Sequence, residues 1–109
     1  MTNRFKVDFL PEAVKFMDGL NVKAREKIYF NLRKAQVTND SELFKKLTDT
    51  IWEFRTYYNK TYYRLFAFWD KRTGQNVIVL ATHGLIKKTG KTPQADLDKA
   101  ERIRQQYFE

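Results

Sequence analysis

The chain has 109 residues, with 21 Lys and Arg against 13 Asp and Glu, for a formal net charge of +8. That length makes one domain, residues 1–109, with room for a single core. Apolar content of 42% and aromatic content of 16% exclude a disordered chain. An isoelectric point near 9.8 calls for an anionic partner, most often nucleic acid, although anionic lipid makes a similar demand. The absence of cysteine excludes a disulfide framework and a thiolate metal site. It suits a reducing cytoplasm. No run approaches the roughly 18 apolar residues of a membrane helix. Arg4, Lys6 and Asp8 interrupt any apolar leader, so no membrane partner is expected.

In chain order, Phe5, Val7 and Phe9 alternate with Lys6 and Asp8 and predict a short first strand. Pro11 suits the first turn of a helix, where its missing donor costs nothing. Ala13, Phe16, Met17 and Leu20 continue that helix toward Gly19. Asn21 is a cap for a second helix, with Ala24, Ile28, Leu32 and Ala35 as its apolar stripe. Asn39-Asp40-Ser41 ends it, and a short helical turn is expected over 42–46.

Three strands are expected next, over 51–57, 62–69 and 76–82. Trp52 and Phe54 fall on one face of the first, with Glu53 and Arg55 on the other. Asn59-Lys60 reads as a hairpin turn and Asp70–Gln75 as a second turn. Val77 to Ala81 is apolar on both faces and therefore central. A lysine-rich loop follows, with Gly84 and Gly90 giving its turns. Thr92-Pro93 then opens a last helix, with Asp96 and Asp98 near its positive end and Leu97, Ala100, Ile103 and Tyr107 as its stripe. The fold class is α+β: a mostly antiparallel sheet with two N-terminal helices packed on it and a C-terminal helix.

The charge is concentrated. Residues 51–92 hold eight basic side chains (55, 60, 64, 71, 72, 87, 88, 91) against Glu53 and Asp70, which leaves +6 of the total +8 there. Gly84 to Thr92 mimics a P-loop, but one residue too many separates the glycines, and the chain is small for a nucleotide-hydrolysing domain.

Trp52-Glu53-Phe54-Arg55, Tyr63-Arg64, His83-Gly84-Leu85-Ile86-Lys87-Lys88 and Lys91-Thr92-Pro93 occur in that order. Together they resemble the HigB-like branch of the RelE/ParE toxin superfamily, in its phage-derived-protein-like subgroup. The resemblance spans essentially the whole chain and implies a RelE-like fold. It also implies the toxin of a type II toxin–antitoxin pair, a ribosome-dependent messenger RNA endoribonuclease acting in the cytoplasm. The expected partners are a helix-turn-helix antitoxin, the ribosome and messenger RNA. Related ParE proteins poison DNA gyrase on the same fold, so a non-enzymatic gyrase inhibitor or a degenerate nucleic-acid-binding homologue is the alternative.

RNA can be cut by attack of its own 2′-hydroxyl on the adjacent phosphate. The step needs a proton acceptor, charge stabilisation at the phosphorane and a proton donor to the leaving 5′-oxygen. No Asp/Glu/His cluster with ligand spacing is present, which disfavours a metal route, and no cofactor is expected. Arg55 and Arg64 lie on neighbouring strands and form a phosphate clamp if their faces match. The competing role is a salt bridge to Glu53 or a solvated strand face. Arg64 is expected to be exposed, so that Arg64→Ala spares the fold. The resemblance supports both arginines and the Lys87-Lys88 pair, and Lys88 joins the catalytic candidates.

Lys87 and Lys91 reach phosphates from the loop, or are merely solvated. Lys60 and Tyr62 complete the expected RNA contacts. His83 is the candidate proton donor, the competing role being a structural hydrogen bond at the strand end. Some relatives place a tyrosine or histidine before the last helix; here Thr92-Pro93-Gln94 stands instead. Tyr57, Tyr58, Tyr62 and Tyr63 stack on bases or pack across strands.

Overall fold

The computed structural model describes residues 3–72, 74, 77–87 and 91–109. Its elements are β1 (Lys6–Phe9), α1 (Pro11–Asp18), α2 (Val22–Val37), β2 (Phe44–Lys46), β3 (Trp52–Tyr58), β4 (Thr61–Asp70), β5 (Ile78–Lys87) and α3 (Gln94–Phe108). The strands form one sheet in the order β1-β5-β4-β3-β2. Only the β1–β5 pair is parallel. This is the expected α+β, RelE-like arrangement.

The helix starts follow local chemistry. Pro11 occupies the first turn of α1. The Asn21 side chain accepts from the Ala24 amide at 2.9 Å and so satisfies one of the free donors of α2. Asn59 and Lys60 both take positive φ, 51° and 59°, as a two-residue hairpin turn matched to strand twist requires.

Each face of the sheet is covered differently. Under α1 and α2, Ala13, Met17, Ile28 and Leu32 pack on Phe54, Leu65, Ala67 and Val79. Under α3, Ala100, Leu97, Tyr107 and Phe108 pack on a smaller set, Ile51, Phe66, Phe68 and Leu80. Tyr107 also donates to Asp70 at 2.8 Å, and Arg72 binds the same carboxylate. Those two bonds, Arg72 first, hold Asp70 well below the usual carboxylate range.

The structure corrects four expectations. Residues 44–46 are a strand rather than a helical turn, because Phe44 is drawn into the core against Phe54 at 4.3 Å between centroids. β5 runs on to Lys87, so His83 to Lys87 belong to the sheet and not to a loop. Gly84 therefore makes no turn. It admits the ring of Phe16, whose nearest carbon would lie 2.2 Å from any added Cβ. Thr92 does not cap α3; Pro93 stands at that position without a side-chain bond, and the Thr92 hydroxyl is engaged elsewhere. Gly90 and Lys88, with part of the second turn (73, 75 and 76), lie outside the described residues.

Candidate functional site

Strand register arranges the charged face. Across β3, β4 and β5, one row is Glu53, Phe66 and His83; the next is Arg55, Arg64 and Leu85; the last is Tyr57, Tyr62 and Lys87. A period of two keeps all three rows on the α3 side. The body of α3 packs beside Phe66 and Phe68, and its first turn reaches His83 through Asp96. The arginine and tyrosine rows lie beyond that turn, toward the β3–β4 hairpin.

The two arginines are thus direct cross-strand neighbours, but they are not equivalent. Arg64 is buried, with 7% of its surface exposed. Its Nη1 donates to Glu53 Oε2 at 3.3 Å and to Thr92 Oγ1 at 2.9 Å. Thr92 Oγ1 in turn donates to the same Glu53 oxygen at 3.3 Å. Arg55 is partly exposed and its Nε lies 3.4 Å from Glu53 Oε1. Glu53 itself is 1% exposed. One buried carboxylate therefore holds two guanidiniums, and the expectation that Arg64 is exposed is corrected. Its carrier strand is central, and a cation there needs an internal counter-charge.

Above this layer lies a cleft of about 330 Å³ lined by Glu42, Arg55, Tyr57 and Tyr62. The Tyr57 and Tyr62 rings are 4.6 Å apart, and the Arg64 guanidinium sits 5.9 Å from the Tyr62 ring centre. Tyr57 is 55% exposed, whereas Tyr63 packs into the core under α1 and α2. Glu42 is held near β3 by the turn before β2, where the Arg55 amide donates to the Leu43 carbonyl at 2.8 Å. Sequence reasoning missed Glu42 and did not single out Tyr57. The signal for Tyr57 was present, since it pairs with Tyr62 across a two-residue turn.

The lysines spread around this end. Lys60 is exposed at the hairpin turn. Lys87 Nζ donates to the Lys91 carbonyl at 2.7 Å, which ties the end of β5 to the segment before α3. Lys91 is exposed.

His83 is elsewhere. It is 4% exposed, stacked on Phe66 at 4.8 Å. Its Nε2 lies 3.0 Å from Asp96 Oδ1 and its Nδ1 2.9 Å from Thr82 Oγ1. Burial lowers its pKa, against the opposing pull of Asp96. The neutral ring then donates from Nε2 to Asp96 and accepts from the Thr82 hydroxyl. Residues 82 and 83 face the step from Phe66 to Ala67, where the β4–β5 register shifts. That bulge aims both side chains toward α3. His83 thus pins the first turn of α3 to the sheet.

Among the described residues no group of three or more His, Cys, Asp or Glu is placed to hold a metal ion, and no helix is long and apolar enough to cross a membrane.

A five-stranded RelE-like sheet, with a tyrosine-lined cleft holding Arg55 and Glu42 beyond the start of its last helix, places the chain in the class of small α+β proteins of RelE-like fold. The family model described as Phage derived protein Gp49-like (DUF891) matches residues 15–105, and the chain belongs to that family. The family is toxin-like, within RelE/HigB-type systems. No curated protein matches the chain.

Proposed function

We propose that the protein is a HigB-like toxin of a type II toxin–antitoxin pair, acting in the cytoplasm as a ribosome-dependent messenger RNA endoribonuclease. The observation that carries this reading is the cleft itself. It brings a carboxylate, a guanidinium and two phenol rings together over a second, buried arginine.

The proton acceptor and the charge stabiliser that 2′-hydroxyl attack needs have groups of the right kind there, and solvent water entering the open cleft protonates the leaving 5′-oxygen. The Glu42 carboxylate is the proton acceptor. Arg55 meets the charge that develops on the phosphorane. Arg64, fixed by Glu53 and Thr92, adds positive charge from below without leaving the sheet. Tyr57 and Tyr62 present ring faces on which bases stack. Lys60, Lys87 and Lys91 attract the phosphates as point charges, and Lys88 is assigned with them from the sequence. His83 acts through Asp96 by positioning α3, not by touching the RNA. The antitoxin would be a helix-turn-helix protein with an acidic segment that covers the basic end by charge neutralisation.

A second reading is favoured by one observation. Both arginines are already engaged with Glu53, and no histidine faces the cleft. A binding-only protein, such as a ParE-like gyrase inhibitor, needs nothing more. Expression without antitoxin followed by primer extension on cellular RNA separates the two. Messages cut within codons support the nuclease. Intact messages with trapped gyrase–DNA complexes overturn it.

A further inference from the structure

At the other end of β3 lies a second cleft, of about 240 Å³. Trp52 and Lys46, register partners on β3 and β2, form one side. Trp69 and Lys71 from the end of β4 form another, and Arg104 of α3 and the Asp49 carboxylate complete it. Tyr57 is five positions along β3 from Trp52, about 17 Å of strand, so this cleft is distinct from the tyrosine-lined one.

Three features of it go unused by the reading above. The first is charge. Arg104 is paired with Glu101 at 3.0 Å, but Lys46 and Lys71 make no salt bridge among the described residues. Both are exposed, and Asp49 is the one carboxylate lining the cleft. The second is the indole donor of Trp69. Its Nε1 is buried and has no hydrogen-bond acceptor among the described residues. Buried indole N–H groups are ordinarily matched, because a desolvated donor with no acceptor loses its bond to water without return. The third is the ring arrangement. Trp52 and Trp69 meet edge to face at 5.6 Å, and the Lys71 ammonium rests 4.9 Å from the Trp69 ring centre. Lys71 is therefore already beside the indole that lacks an acceptor.

We propose that this cleft is a phosphate-binding site. An oxyanion entering it supplies an acceptor to the Trp69 indole and a counter-charge to Lys46 and Lys71, none of which has one among the described residues, while Arg104 stays on Glu101. Two sources present that chemistry: a free nucleotide or phosphate, and a phosphodiester in an RNA strand. The site stands independently of whether the tyrosine-lined cleft cuts RNA.

The protein carries its own probe. Trp52 and Trp69 are the only tryptophans in the chain, so indole emission reports on this cleft alone. The test titrates the full chain, at constant ionic strength, with inorganic phosphate, adenosine 5′-monophosphate and a ten-nucleotide oligoribonucleotide, with chloride as control. A saturable emission change with a phosphate-bearing probe and none with chloride is the expected result. The Lys46→Ala/Lys71→Ala variant should weaken it at least about tenfold, as loss of charge-assisted bonds requires. Both lysines are exposed, and a thermal melt checks that this variant folds. Trp69→Phe keeps a ring but removes the donor, and Trp52 emission should then report weaker binding. A response to phosphate and mononucleotide assigns a free-nucleotide source; a response to the oligonucleotide alone assigns the strand. No saturable response to any probe overturns the site, as does a response undiminished in the double lysine variant.

Discussion

The two faces of the sheet are built on different principles. Under α1 and α2 the interior is aliphatic and aromatic, and Thr56, bonded to Asn31, is its one buried polar side chain among the described residues. Under α3 the apolar set is smaller, and Glu53, Arg64, Asp70, Thr82 and His83 are all buried beside it. Buried charge is a poor source of stability, since desolvation opposes the attraction. The first face holds the molecule together. The second keeps charge at fixed positions, which is what an anion site requires.

The largest expected effect comes from breaking the polar layer on one side only. Arg64→Ala leaves the Glu53 carboxylate buried with a weaker set of partners, and should cost about 3–5 kcal/mol in urea denaturation. The paired change Glu53→Leu with Arg64→Met removes both charges and should recover most of that loss. The same double variant should be non-toxic when expressed. Full toxicity in a folded Glu53→Leu/Arg64→Met protein would remove this layer from the mechanism.

A contact across the apolar face ranks second. Gly84→Ala drives a methyl into the Phe16 ring and should destabilise by about 1–3 kcal/mol. Adding Phe16→Leu should return part of it. Equal melting temperatures for wild type and Gly84→Ala would show that α1 yields freely.

The third effect follows from His83. Its pKa is lowered in the folded chain, chiefly by burial, so the unfolded chain takes up a proton first as pH falls. The sign is therefore fixed: stability is full above the ordinary value of 6.5 and declines as pH drops from there through the lowered folded value. The slope is at most about 1.4 kcal/mol per pH unit for one proton. His83→Gln should flatten the denaturation profile near pH 6 while shifting neither RNA affinity nor the cleavage rate per folded molecule. A rate that falls as pH rises, and is lost in His83→Gln, would restore His83 as a proton donor.

The smallest effect on stability belongs to the cleft wall. Tyr57→Ala should cost less than about 1 kcal/mol, the usual worth of a cross-strand pair. Its effect on RNA binding should be far larger, because the exposed ring has no other packing role. Equal retention of the wild type and Tyr57→Ala on single-stranded RNA would exclude base stacking there.

Sequence reading reached some of this and missed the rest for identifiable reasons. The stripe Ala24, Ile28, Leu32 and Ala35, the Asn21 cap and the Asn59-Lys60 turn were legible because their signals are local. The placing of Arg55 and Arg64 on neighbouring strands was legible too; their facing was left open in the sequence and is set by the register across the two-residue turn. The end of β5 was not. Gly84 and the lysines looked like a loop, and the reason for Gly84 is a Phe16 ring distant in sequence. Arg64 was expected to be exposed because nothing local to Tyr63-Arg64 reveals that Thr92 closes over it. Glu42 carries no motif at all; only the docking of its turn on β3 brings it to the cleft.

Glu53 has one more consequence. An oxyanion that approaches Arg55 meets a guanidinium whose Nε already faces a carboxylate at 3.4 Å, so binding is an exchange of one anion for another. A ground-state phosphodiester with a single negative charge gains little by that exchange. A species with more charge on its oxygens gains more, and Glu53 keeps Arg64 and Thr92 when Arg55 turns away. In the proposed nuclease the resident carboxylate would thereby act as a threshold, disfavouring singly charged anions and leaving the more highly charged one preferred.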